Sequence, residues 1–135
     1  MSAAGLSLEG IDKAWEDGAV GLASLSLRVE PGELVAVLGP SGSGKSTALR
    51  VVAGLESPDA GVVRIGDRDV TAVEPSQRRV AMVFQSFALF PHLSAEDNIA
   101  FGLRARGASR EEARARARAV AEPLALVDLL GRRPA

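Results

Sequence analysis

The residues best suited to chemistry lie in one short run. Gly39-Pro40-Ser41-Gly42-Ser43-Gly44-Lys45-Ser46-Thr47 fits the pattern G-x-x-x-x-G-K-[ST]. Glycines at these positions let backbone N–H groups converge on phosphate oxygens without a Cβ in the way. A helix that begins at the end of the run points its positive end at the same anion. Lys45 would place a cation on the β- and γ-phosphates of a nucleotide, and the Ser46 hydroxyl can ligate Mg²⁺. The competing reading is a Gly/Ser-rich turn with no ligand. With average residue usage the pattern arises by chance in on the order of one chain of this length in a few hundred. The flanking elements therefore decide.

Those elements are the ones the motif requires. Leu34-Val35-Ala36-Val37-Leu38 is a continuous apolar run that reads as a strand buried on both faces, ending at Gly39. A helical stretch follows over Lys45–Ala53, with Gly54 as its stop. Before the loop, Leu25, Leu27 and Val29 alternate as a half-buried strand does, and Leu6, Leu8 and Ile11 form a looser one. Pro31-Gly32 predicts a turn that folds its two flanking segments back on one another. After the helix, Ser57–Gly61 reads as a turn, Val62–Ile65 as a short strand, Val70–Arg79 as loop and Val80–Phe84 as a further strand.

Beyond Phe84 the pattern turns helical. Ser94 with Asp97, and Ser109 with Glu112, have the spacing of capping boxes. In the second of these helices Ala113, Ala117, Val120 and Ala121 share a face, and Glu112 and Arg116 are spaced for an i,i+4 ion pair. The arginines between Ala113 and Ala119 splay around the axis, with Glu111 and Glu112 beside them, as on a solvated face. Pro123 ends or kinks that helix and opens a short one over Leu124–Leu130. Leu124–Asp128 resembles an apolar strand ending in a Mg²⁺-binding Asp, yet it follows Pro123 and reads as helix. Asp128-x-x-Gly131 imitates a GTPase element, but no N-K-x-D guanine reader occurs.

Composition narrows the remaining classes. The 135 residues suit one domain, which could bury roughly two-thirds of the unfolded chain's surface. A formal charge of −1 gives no electrostatic footprint for nucleic acid. With no cysteine, disulfide scaffolds, thiolate metal sites and cysteine nucleophiles are excluded. His92 is the single histidine, so a multi-histidine metal site is excluded as well. The start, Met1–Gly5, has neither the basic segment nor the apolar core of a secretory signal, and no apolar run approaches the ~18 residues of a membrane span. A soluble protein of a reducing compartment is the default. Of the 16 basic residues only Lys13 and Lys45 are lysines, which makes a lysine at a chemically critical position conspicuous.

From about Leu6 to the last residue, the chain resembles the first part of the ATP-binding subunit of an ABC transporter, of the importer type serving maltose, sulfate, ferric iron or polyamines. Three features beyond the phosphate loop carry the resemblance. Trp15 precedes Gly39 at about the spacing of the family's adenine-stacking aromatic, and stacking needs only a π-face; the alternative is a half-buried surface tryptophan. Val83-Phe84-Gln85-Ser86-Phe87-Ala88-Leu89-Phe90-Pro91-His92-Leu93-Ser94 resembles the family's Q-loop, which implies that Gln85 reaches Mg²⁺ and the attacking water. Phe87, Leu89 and Phe90 fall where the family meets the coupling helix of its membrane partner, or else form ordinary core. His92 would be a loop residue near that partner.

The resemblance implies an α/β fold: a P-loop NTPase core with antiparallel β-subdomain strands over about residues 1–87, and the start of a helical subdomain over about 88–135, the whole an incomplete domain. It implies ATP and Mg²⁺ as ligands. Trp15 takes adenine, Gly39, Pro40, Ser41, Gly42, Ser43, Gly44, Lys45, Ser46 and Thr47 take the phosphates, and Ser46 and Gln85 take the metal. It further implies transmembrane permease subunits and a second ATP-binding subunit as partners, no nucleic acid, and a peripheral place on the cytoplasmic face of the membrane. The chain departs from the family at Gly131-Arg132-Arg133-Pro134-Ala135, where an L-S-G-G-Q signature would follow. That signature, the Mg²⁺-binding Asp with its catalytic Glu, and the switch histidine are absent from this sequence. On this reading the chain binds nucleotide and alone hydrolyses it very slowly or not at all. The alternatives are a non-catalytic nucleotide- or partner-binding module, another phosphate-loop enzyme such as a small kinase, and a truncated product without function.

Overall fold

A computed structural model describes residues 4–134. The chain forms two compact units, Met1–Met82 and Val83–Ala135. The first is built on β1 (Leu6–Ala14), β2 (Val20–Val29), α1 (Lys45–Ala53), β3 (Ala60–Ile65) and β4 (Arg68–Asp69), with a 3-10 turn at Pro75–Gln77. The strands make one antiparallel sheet in the order β2-β1-β3-β4.

A defect in β1 sets which side chains reach the core. Leu8 and Ile11 are three apart, which in a regular strand would put them on opposite faces. The pairing of β1 with β2 shifts register between them, at Gly10, whose φ of 58° is in the left-handed region. Both side chains are thereby buried, and they join Leu22, Val51, Val63 and Val70 in one apolar cluster. Ala48 and Val52 of α1 pack against the same cluster, so this helix is seated on the sheet. Each fully buried Leu, Ile or Val there contributes about 1.5–3 kcal/mol.

Three expectations about strands need correction. Leu34–Leu38 and Val80–Phe84 form no strand, and Leu34 and Leu38 are 96% and 89% exposed. A run buried on both faces needs a neighbour on each side to complete its hydrogen-bond ladder, and no segment among the described residues pairs with either run. Pro31-Gly32 does form a turn, but the segments beside it do not pair with one another. β2 instead pairs back onto β1, Leu27 opposite Leu8 and Val29 opposite Leu6.

The second unit holds α2 (Ala95–Ala105), α3 (Arg110–Ala121) and a 3-10 turn at Val127–Leu129. Ala100, Ala113 and Ala117 bury their methyl groups at the seam between the helices, with Leu103 and Ala108 beside them. Ala121, one turn further along α3, is buried as well, whereas Val120 is 55% exposed and does not share the buried face. The arginines of α3 lie outside the seam. Arg114 meets Glu96 at 3.1 Å and Asp97 at 3.5 Å, Arg116 meets Glu112 at 3.7 Å, and Arg118 meets Glu96 at 3.8 Å. Leu124–Leu130 forms turns and the short 3-10 segment rather than a full α-helix, and Asp128 on it is exposed.

Candidate functional site

Helix α1 begins at Lys45 with Gly44 as its N-cap. Gly44 has φ 86°, and a Cβ there would run into the carbonyl oxygen of Gly21 and lie 3.0 Å from Leu22 Cδ2. Only glycine lets the loop turn into the helix this close to β2. The first N–H groups of α1 have no acceptor within the helix. No side chain caps them, and no acidic residue stands in the first turn. The positive end of the helix dipole is therefore left open to an anion.

The Lys45 ammonium folds over the loop that leads into the helix. Nζ donates to the carbonyls of Gly39 at 2.8 Å and Pro40 at 2.6 Å, and to Ser43 Oγ at 3.3 Å. The Ser43 N–H donates to Pro40 O at 3.3 Å, closing the tip. All three ammonium protons are thus directed at the loop itself, holding a cation over the residues that would receive phosphate. Ser46 is exposed in the first turn of the same helix.

Trp15 lies at this corner. It follows β1 in a tight turn, with its N–H bonded to Ala19 O at 2.8 Å and its carbonyl accepting from Gly18 N at 2.9 Å. The indole Nε1 is so close to Gly21 that a Cβ on that glycine would fall 2.9 Å from it, and 3.4 Å from Thr47 Cγ2. Gly21 therefore links the indole edge to Thr47 on one side and to Gly44 on the other. Trp15 remains 38% exposed. The structure brings Trp15 and the Gly39–Thr47 run together within the first unit.

Two residues that sequence reasoning missed hold this geometry. Arg78 is buried, and its guanidinium donates to the carbonyls of Val51 at 2.8 Å, Val52 at 3.1 Å, Val73 at 2.7 Å and Thr71 at 3.0 Å. It caps the negative end of α1 and ties the 71–78 loop to it. Burial pushes its pKa below the ordinary arginine value, with Glu74 opposing. The other is Lys13, whose ammonium sits 5.6 Å from the Trp15 ring centroid and pairs with Glu56 at 3.1 Å and Asp59 at 3.4 Å. Only its conspicuousness as one of two lysines could have drawn attention to it.

Gln85 belongs to the second unit, exposed at the start of a turn over residues 85–88. Phe87 and Ala88 take positive φ, 62° and 47°, and Phe87 is 79% exposed, which removes it from any core. Phe90 packs against Phe101 with centroids 4.5 Å apart and the rings tilted by 40°, and meets His92 edge-on at 6.0 Å. Asn98, also missed in the sequence, fixes this loop: Oδ1 accepts from Phe90 N at 2.8 Å, while Nδ2 donates to the carbonyls of Phe90, Leu93 and Ser94.

Comparison with known proteins gives the site its context. A family profile described as ABC transporter matches residues 22–135. The sn-glycerol-3-phosphate import ATP-binding protein UgpC of Chromohalobacter salexigens is 49% identical over 129 residues, covering 96% of this chain and 35% of that protein. The Fe(3+) ions import ATP-binding protein FbpC 1 of Rhizobium meliloti is 57% identical over 107 residues, covering 79% and 30%. The chain thus spans about a third of the length of the curated relatives it matches. Among solved structures, the ATP-binding cassette MJ0796, a dimer in a post-hydrolysis state bound to ADP and Pi, superposes with a TM-score of 0.85 at 32% identity, covering 96% of this chain and 61% of that one. The α/β cassette fold, its small antiparallel sheet and its first helices are therefore shared over the part of that chain that is covered. With the profile covering most of its length and the phosphate loop, helix and sheet arranged as described, the chain belongs to the ABC transporter family.

Proposed function

We propose that the chain is the nucleotide-binding part of an importer ATPase, in which ATP binding and hydrolysis drive solute uptake. The observation that carries this is the single corner formed by the open N-terminus of α1, the Lys45 ammonium and the Trp15 indole. Trp15 stacks on adenine, and the Gly39–Thr47 backbone takes the phosphates. Lys45 exchanges its loop carbonyls for β- and γ-phosphate oxygens, a charge-assisted contact stronger than the neutral ones it replaces.

Mg²⁺ fits the donor set. Among the described residues no group of three His, Cys, Asp or Glu could hold a metal by protein ligands alone. The exposed Ser46 hydroxyl suits an ion that keeps waters and binds chiefly through the nucleotide's phosphates. When bound, the ion neutralises phosphate charge and orients the phosphoryl group. Gln85 is assigned to the metal and the attacking water. Its turn begins the segment, Phe87–His92, that we assign to contact with transmembrane permease subunits. Residues 1–87 are read as the core and β-strands, and 88–135 as the start of the helical subdomain. A second ATP-binding subunit completes the catalytic assembly, on the cytoplasmic face of the membrane. No helix among the described residues is long and apolar enough to cross a membrane.

Titration with Mg-ATP tests the reading. Lys45→Ala and Trp15→Ala should each weaken binding, and wild-type affinity in the Lys45→Ala variant would falsify the site.

A further inference from the structure

We propose that Lys13 is a positioning residue for base recognition, holding the Trp15 indole in its stacking orientation by covering the ring with an ammonium clamped between Glu56 and Asp59. This rests on the reading of Trp15 as the adenine platform. Lys13 is the next-to-last residue of β1, two residues before Trp15 in the turn that follows the strand. Its ammonium lies over the Trp15 ring, within the ~6 Å at which such a charge is attracted to the π-face.

The clamp identifies what the lysine is for. Nζ is 3.1 Å from Glu56 Oε1 and 3.4 Å from Asp59 Oδ1, and the Lys13 side chain is only 13% exposed. A cation already paired with two carboxylates is poorly placed to bind phosphate, unlike Lys45, which faces carbonyls and a hydroxyl. Glu56 foremost, then Asp59, raise the Lys13 pKa above the ordinary lysine value, so the charge is permanent at neutral pH. Asp59 also accepts the N–H of Ala14, between the two residues, at 2.6 Å. Carboxylate, ammonium and backbone are thus joined, and Glu56 and Asp59 sit on the connection between α1 and β3. The base platform is tied in this way to the segment that leaves the phosphate-loop helix.

Trp15 is the single tryptophan of the chain, with no tyrosine, so intrinsic emission reports the platform directly. The experiment compares wild type with Lys13→Met, Lys13→Arg, Glu56→Gln and Trp15→Ala. Each is titrated with Mg-ATP and, as a probe lacking a base, with Mg-tripolyphosphate. Lys13→Met should bind Mg-ATP about five-fold more weakly, bind tripolyphosphate as wild type does, and show altered Trp15 emission. Lys13→Arg should restore ATP affinity, since a guanidinium both stacks on an indole and pairs with carboxylates. Glu56→Gln should weaken ATP alone, by less, and carries the test if Lys13→Met does not fold. Wild-type ATP affinity in Lys13→Met, or in Glu56→Gln where that variant carries the test, with Trp15→Ala weakened, overturns the role of Lys13 and leaves the platform standing. Equal loss of ATP and tripolyphosphate affinity in Lys13→Met also overturns it, as a merely structural effect. Unchanged ATP affinity in Trp15→Ala overturns the platform itself, and the inference with it.

Discussion

The two ends of α1 are treated in opposite ways. At its C-terminus the Arg78 guanidinium donates to Val51 and Val52 carbonyls, and Gly54 and Leu55 amides bond back to Val51 and Arg50. At its N-terminus nothing comparable is supplied. Helices α2 and α3 show that the chain can close such an end. Ser94 Oγ accepts from Asp97 N and Ser109 Oγ from Glu112 N, both at 3.1 Å, with acidic residues in each first turn. Those acids also complement the helix dipole. The macrodipole has the same sense in all three helices, so what differs is whether its positive end is satisfied by the protein or left open.

Breaking the closed end should have the largest effect. Arg78→Met strands several carbonyls that the guanidinium now serves, and should lower unfolding free energy by about 3 kcal/mol or more in urea titration. Removing the cation at the open end should separate binding from stability. Lys45→Ala should weaken Mg-ATP by about 2 kcal/mol, some 30-fold, with the urea midpoint barely moved. The closed N-termini should behave conversely: Ser109→Ala should cost about 1 kcal/mol of stability and leave Mg-ATP affinity alone. Equal losses of affinity in Ser109→Ala and Lys45→Ala would erase the distinction between open and closed ends.

The smallest effect concerns Asp59. The Ala14 N–H, with help from Lys13, holds its carboxyl below the ordinary value of 3.8. A carboxyl with a lower pKa in the folded than in the unfolded chain stabilises the fold above the unfolded value, and that stabilisation is lost as pH falls through the folded one. Asp59→Asn should therefore shallow the loss of stability below about pH 4 without adding stability at pH 7, as stability measured across pH 2–7 would show.

What could be read from the chain followed how local each cause is. The helix over Lys45–Ala53, its stop at Gly54 and the Ser94 and Ser109 caps depend on residues a turn apart, and each is found as expected. The expected capping boxes are half-made: Glu112 pairs with Arg116 four residues on, as local spacing foretells, but Asp97 turns its carboxylate to Arg114 of the other helix, a partner no local spacing reveals. Apolar runs are ambiguous in a different sense. Leu34–Leu38 shows a preference for burial between strands, but pairing depends on neighbours, and the described residues provide none.

By itself the sequence determined the groups of the Gly39–Thr47 loop, because a G-x-x-x-x-G-K-S-T run specifies backbone freedom, cation and hydroxyl within nine residues. It also determined the helix that follows and the caps of the later two. Only the tertiary structure decided that the Trp15 indole meets Gly21 beside Gly44 and Thr47, that Arg78 closes the far end of α1, and that Lys13 rests between Glu56 and Asp59. Those contacts join positions separated along the chain by up to more than forty residues. They exist because β1, β2 and β3 pair and α1 packs onto them, and that long-range pairing leaves no periodic trace in the order of residues.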